Sequence, residues 1–173
     1  MFKSAALAVM ATVALSAPAM AAEAPYIHDA VKAQMSSIYN EGFSKGNMKA
    51  IDAVVHQNVV DHEMVMSNQK SGRDGLKQMI SSLRTGFPDL KVEMLDFSYS
   101  KGKAFVRYRM TGTQKGAFMG KPASGKKIDF IGFDEVRFKD GLAVEHWGQG
   151  DNVTMMKQLG LMQAPPAAPA PKK

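Results

Sequence analysis

The residues best suited to chemistry lie close together near the end of the chain. The stretch VEHWGQGD, residues 144–151, holds His146, the only tryptophan, Trp147, and Asp151, with glycines at 148 and 150. Imidazole and carboxyl groups are the usual acid/base groups of enzymes working near neutral pH. Each also has a purely structural role open to it. A histidine on an apolar face can be held by a carbonyl, and Asp151 directly precedes a helical run and can cap it. Five extended residues would set His146 and Asp151 about 16 Å apart, so a shared site requires a bend at Gly148-Gln149-Gly150.

Two further groups stand out. In residues 129–138 the period-two pattern puts Asp134 on one face with Phe130, Gly132, Val136 and Phe138. In residues 142–148 it groups His146 with Leu142 and Val144, and in the preceding strand Tyr108 with Val106 and Met110. An ionisable group on an apolar face must be paired, open to a wet pocket, or held neutral. Asp134 and His146 are therefore candidate catalytic residues. The run DHEMVM, residues 61–66, would if extended align His62, Met64 and Met66, soft donors suited to Cu(I). Packing competes with that reading, since the chain has 14 methionines. There is no HExxH, no histidine spacing typical of zinc, and no serine-hydrolase or phosphate-loop motif, so no metal site is expected.

Helices must come first in the scaffold that positions these groups. Ile27, Val31, Met35, Ile38, Tyr39 and Phe43 recur at helical spacing and predict one long amphipathic helix over residues 25–44. Asn47 is placed to cap a second helix carrying Met48, Ile51, Val54 and Val55. A third opens near Ser71-Gly72, buries Leu76, Met79, Ile80, Leu83 and Phe87, and stops at Pro88. The period then changes to two, predicting four strands over residues 90–100, 103–116, 126–139 and 142–148. Lys101-Gly102 and Asp140-Gly141 are the hairpin turns. A short helix over residues 152–159 closes the domain. Helices followed by an antiparallel meander define an α+β fold.

Composition bounds the rest. The first 21 residues read as a secretory signal peptide: Lys3, an apolar run from Ala5, then Ala19-Met20-Ala21. The expected domain is 22–162, followed by an Ala/Pro-rich tail over 163–173. A periplasmic location without stable membrane insertion follows from that reading. The absence of cysteine excludes disulfides and thiolate chemistry. The net charge of +6 is spread along the chain without a basic stripe, so nucleic acid is not an expected partner.

Several motifs in order resemble the SnoaL-like polyketide cyclases. They are Val59-Val60-Asp61-His62, Phe87-Pro88-Asp89-Leu90, and Thr111-Gly112-Thr113 leading to Gly116-x-Phe118-x-Gly120. Ser124-Gly125-Lys126, Glu145-His146-Trp147-x-x-x-Asp151 and Gln158-Leu159-Gly160 follow. Gln114 stands where family members often carry histidine. The resemblance implies a cone-shaped α+β barrel, with a curved antiparallel sheet wrapped around a long N-terminal helix and enclosing an apolar pocket. It implies a homodimer and no cofactor. It further implies that Asp151 is the acid/base aspartate, and that His62 and the His146-Trp147 segment line the pocket; Phe118, Tyr108, Met110 and Phe130 are the other expected substrate-binding residues. The expected activity is cyclisation or isomerisation of an apolar carbonyl-containing small molecule. A non-catalytic binding module of the same fold is the alternative, and the principal acid/base group is Asp134 or Asp151.

Overall fold

A computed structural model describes residues 25–63 and 68–162. The expected leader and tail, together with Met64 and Met66 of the copper reading, lie outside the described residues.

The first helix opens with α1 (Pro25–Ser37), then widens into a π-helix over Ile38–Ser44. The span matches the amphipathic pattern; the change of winding does not show in it. The wider turns bury Ile38, Tyr39, Gly42 and Phe43 together. Single π-turns often occur at functional sites, and Tyr39 belongs to the site described below. Gly42 is needed here, because a Cβ would run into the Ile51 side chain of the next helix. That helix, α2 (Met48–Val54), follows Gly46, whose φ of +74° ends the first one. Asn47 precedes α2, but its side chain makes no capping hydrogen bond, contrary to the sequence expectation.

Val55, expected to be helical, instead begins β1 (Val55–Asp61). After it come α3 (Gly72–Gly86), β2 (Lys91–Ser100), β3 (Lys103–Thr113), β4 (Lys127–Lys139), β5 (Leu142–Gly150) and α4 (Asn152–Leu159). The sheet thus has five strands rather than four, in the order β1-β5-β4-β3-β2. All neighbours are antiparallel except β1 and β5, which are parallel. Both two-residue hairpin turns have left-handed φ at each position: 52° and 77° at Lys101-Gly102, and 51° and 77° at Asp140-Gly141. Such turns follow the natural twist of the strands they join.

The α+β class and the curved sheet over a helical layer are as expected. The inner face of the sheet packs Val92, Val106, Met110, Ile128, Phe130, Val136 and Phe138 against Met35, Ile38, Ile80, Leu83 and Met155 from the helices. No helix among the described residues is long and apolar enough to cross a membrane.

One irregularity decides what faces inward. On β4 the alternation holds from Ile128 to Phe138. On β5 the register slips: Arg137 pairs with Glu145, but Phe138 pairs with Ala143. Val144 is the extra residue of this β-bulge. The inner face of β5 is therefore Ala143, His146, Gly148 and Gly150, not the expected Leu142, Val144 and His146.

Candidate functional site

The inner face and the helices enclose a cavity of about 110 Å³. Most of its wall is apolar, including Met35, Phe43, Val59, Met79, Leu83, Met110, Phe118 and Phe130. The polar groups gather at one end: Tyr39, Asp61, Glu63, Tyr108, Asp134 and His146.

His146 is the hub of that end. Its Nδ1 lies 2.9 Å from Asp61 Oδ1 and its Nε2 3.3 Å from Asp134 Oδ1. The side chains are 22%, 14% and 12% exposed respectively, so water screens this group weakly. The other oxygen of Asp134 accepts a 2.6 Å hydrogen bond from the Tyr39 hydroxyl. Sequence registry explains the convergence. Asp61 pairs with His146 across the parallel β1–β5 edge, and Val136, beside Asp134, pairs with His146 across β4–β5. Burial alone would lower the His146 pKa; hydrogen bonds and charge from Asp134 and Asp61 outweigh it and push the pKa up to about 10.

Glu63 follows β1 and turns back toward the same end, with its N–H donating to Asp61 Oδ1 at 3.0 Å. Burial raises its carboxyl pKa, as does the Asp134 charge; His146 and a backbone hydrogen bond from Gly150 oppose this. Tyr39 and Tyr108 are both raised, first by burial and then by Asp134, so both remain neutral phenols across ordinary pH.

Glycine makes the room. A Cβ at Gly148 would come within 2.9 Å of Asp134 Oδ1 and 2.8 Å of His146 Cε1, and would collide with Glu63 Oε2. On β4, Gly132 lies beneath the Tyr108 ring, which occupies the place of its missing side chain. One donor atom each from Glu63, Asp134 and His146 falls within 4.8 Å of the others, so these three residues could hold a metal ion.

The structure brings together His146, Asp134, Tyr108, Met110, Phe118 and Phe130 around one cavity. Three other expectations are corrected. Asp151 is exposed and caps α4: its Oδ1 accepts from Thr154 N–H at 2.9 Å and its Oδ2 from Thr154 Oγ1 at 2.6 Å. Hydrogen bonds from the Thr154 hydroxyl and N–H lower its pKa. Trp147 points away from the cavity because alternation along β5 puts it on the face opposite His146. His62 also lies outside, stacked on Trp147 with ring centroids 4.7 Å apart and joined to Glu145 by a 2.9 Å contact. Gln114 is buried, donating to Pro122 O and accepting from Ser124, which braces the 114–126 loop.

Sequence reasoning missed Tyr39, Asp61 and Glu63 as site residues. Tyr39 reads as one more core position of its helix. Asp61 ends a strand whose outer positions hide the alternation, Glu63 lies just beyond it, and DHE was the available signal.

The profile of the SnoaL-like polyketide cyclase family matches residues 33–159, most of the chain. The chain belongs to the SnoaL-like polyketide cyclase family. Solved structures agree with this family's fold. TsrD from Streptomyces laurentii superposes with a TM-score of 0.71 at 24% identity, covering 78% of this chain and 97% of TsrD. A candidate polyketide cyclase from Bacillus cereus gives 0.65 at 29%, covering 75% and 80%. IdmH from Streptomyces antibioticus gives 0.65 at 26%, covering 75% and 97%. No curated protein matches the chain. Membership of the SnoaL-like family suggests a function of cyclase or isomerase type.

Proposed function

We propose that this SnoaL-like protein catalyses proton transfer on an apolar, carbonyl-containing small molecule, leading to intramolecular aldol closure or isomerisation. One observation carries the reading: a carboxyl and imidazole cluster at one end of an otherwise apolar cavity. Glu63 is the group best suited to act as base. Burial brings its carboxyl closer to the working pH, which improves it as a base. It takes a proton from carbon next to a carbonyl. The enolate carbon then attacks a second carbonyl of the same molecule, and the resulting alkoxide takes the proton held by Glu63, which returns to its carboxylate. Tyr108, a neutral phenol lining the cavity, can donate to the developing enolate oxygen. Asp134 and Asp61 hold His146 in place, and Tyr39 holds Asp134.

Exchange of α-protons for deuterium in a panel of apolar β-keto esters and β-diketones, followed by NMR, tests this without knowledge of the product. The wild-type protein is expected to accelerate exchange at one ring or chain position, and Glu63→Gln to lose about 10²–10⁴-fold. Exchange unchanged in Glu63→Gln rejects the base assignment. Saturable binding of panel members without any exchange favours the non-catalytic binding module, which the apolar wall alone would support.

Export to the periplasm and homodimer formation belong to the same reading. The first is supported by the charged, apolar and small-residue order of residues 1–21, and cell fractionation with N-terminal sequencing tests it. The second is supported by exposed Val60, Phe105 and Phe133 on the outer face of the sheet.

A further inference from the structure

We propose that Glu63, Asp134 and His146 form a binding site for a first-row divalent cation, zinc in the first instance, with an open coordination position facing the cavity. The inference goes beyond the acid/base reading, because occupancy is measured without substrate.

Four observations carry it. The first is distance. Zinc bonds of about 2.0–2.1 Å set tetrahedral ligand–ligand edges of roughly 3.3 Å. His146 Nε2 and Asp134 Oδ1 are 3.3 Å apart. One donor atom each from Glu63, Asp134 and His146 lies within 4.8 Å of the others, and the flexible Glu63 side chain can close the remainder.

The second is the outer support. Metal-bound histidines usually donate their other ring N–H to a carboxylate or carbonyl, which fixes the ring. Asp61 is in that position, 2.9 Å from His146 Nδ1. Tyr39 does the same for Asp134, engaging Oδ2 at 2.6 Å and leaving Oδ1 directed at His146.

The third is charge. Three carboxyl groups surround one imidazole, and no lysine or arginine is among the described residues lining the cavity. A dication that takes the place of the proton on His146 Nε2 balances the excess carboxylate charge in a place where water screens it weakly. The fourth is space. Gly148 lies on the inner face of β5, and a Cβ there would collide with Glu63 Oε2 and come within 2.9 Å of Asp134 Oδ1 and 2.8 Å of His146 Cε1, crowding the space between the three side chains.

The donor set selects the ion. One imidazole with two carboxylates and no sulfur suits zinc, manganese or ferrous iron better than copper(I), and zinc binds most tightly of these three by the usual order of affinities. A cation held at three points keeps a fourth position for water or for a carbonyl oxygen of a cavity ligand.

The test uses untagged full-length protein, dialysed against chelator and titrated with Zn²⁺ by calorimetry, and with Co²⁺ by visible absorption. One equivalent should bind saturably with a Kd below about 10 μM, and Co²⁺ should give the intense bands of a four-coordinate site. Glu63→Gln should weaken binding by more than about a hundredfold, and Asp61→Asn by about 10–100-fold. Glu63 follows the edge strand, so its variant tests the site with circular dichroism as the check on folding; Gly148→Ala is a second variant and should also lose binding. His28→Ala and His56→Ala should bind as the wild type does.

No saturable binding below about 100 μM overturns the inference, as does an affinity indifferent to Glu63→Gln or one lost in the His28 or His56 variant. Absent zinc binding with Glu63-dependent proton exchange intact overturns the cation site alone. Saturable zinc binding with exchange indifferent to Glu63 supports the cation site and overturns the acid/base reading alone.

Discussion

Among individual residues, His146 is the one whose protonation most affects the others. Its pKa in the folded protein is raised from about 6.5 to about 10. A raised folded-state value means that the charged form contributes stability fully below the unfolded value. That contribution falls away as pH rises through the folded value. In chelator-treated protein, denaturant midpoints should therefore decline between about pH 6.5 and pH 10, and His146→Gln should flatten that decline. A wild-type midpoint constant over this window would show that His146 does not carry the charge. Tyr39→Phe removes a buried hydrogen bond to Asp134 and should cost about 1.5–3 kcal/mol in equilibrium unfolding. Asp151 belongs to a different class. Asp151→Asn keeps an oxygen that can accept from Thr154 and should retain full exchange activity, while Asp151→Ala should lower the melting temperature without changing the exchange rate per folded molecule. Loss of exchange in Asp151→Asn would restore that residue to the chemistry.

Among secondary-structure elements, the decisive ones are β1 and the bulge in β5. Helix extents, both hairpins and the closing helix followed from periodicity and turn residues, because one-sided burial imprints a repeat on the sequence. β1 left no such imprint. Only Val55 and Val59 of its seven residues are buried, at a spacing of four that reads as helix, and Val60 is half exposed. The bulge at Val144 is equally silent in sequence, yet it brings Ala143 and His146 onto the same face. Asp134 and His146 were recognisable as ionisable groups on apolar faces. Their partners Asp61 and Glu63 were not, because they arrive through a parallel pairing that no local pattern announces. The aspartate singled out by motif, Asp151, serves as a helix cap, and the glycines read as a bend leave space on the inner face. Gly132→Ala tests how tightly this face is built. The new methyl would overlap the Tyr108 ring, and overpacking of this kind costs about 1–3 kcal/mol by chemical denaturation.

For the whole molecule, the two faces of the sheet have opposite characters. The inner face encloses the cavity. The outer face carries cross-strand ion pairs, Arg107 with Asp96, Arg109 with Asp129, Lys103 with Glu135 and Arg137 with Glu145, interspersed with exposed aromatic rings. Phe133, 57% exposed, is central among them. If two copies associate through this face, light scattering should report a dimer for the wild type and a monomer for Phe133→Glu, with the cavity's ligand affinity unchanged. A dimer that survives Phe133→Glu would move the contact elsewhere.

The edge pairing of β1 with β5 also sets an order in time. Asp61 and His146 are separated by 85 residues along the chain, and nothing nearer can complete their contact. Contacts between such distant segments form slowly, since a long loop must close first. During synthesis everything before β5 must wait, with its acidic residues still in water, until that last strand is made. A chain that passes through a membrane before folding would complete its reactive centre only at the far side.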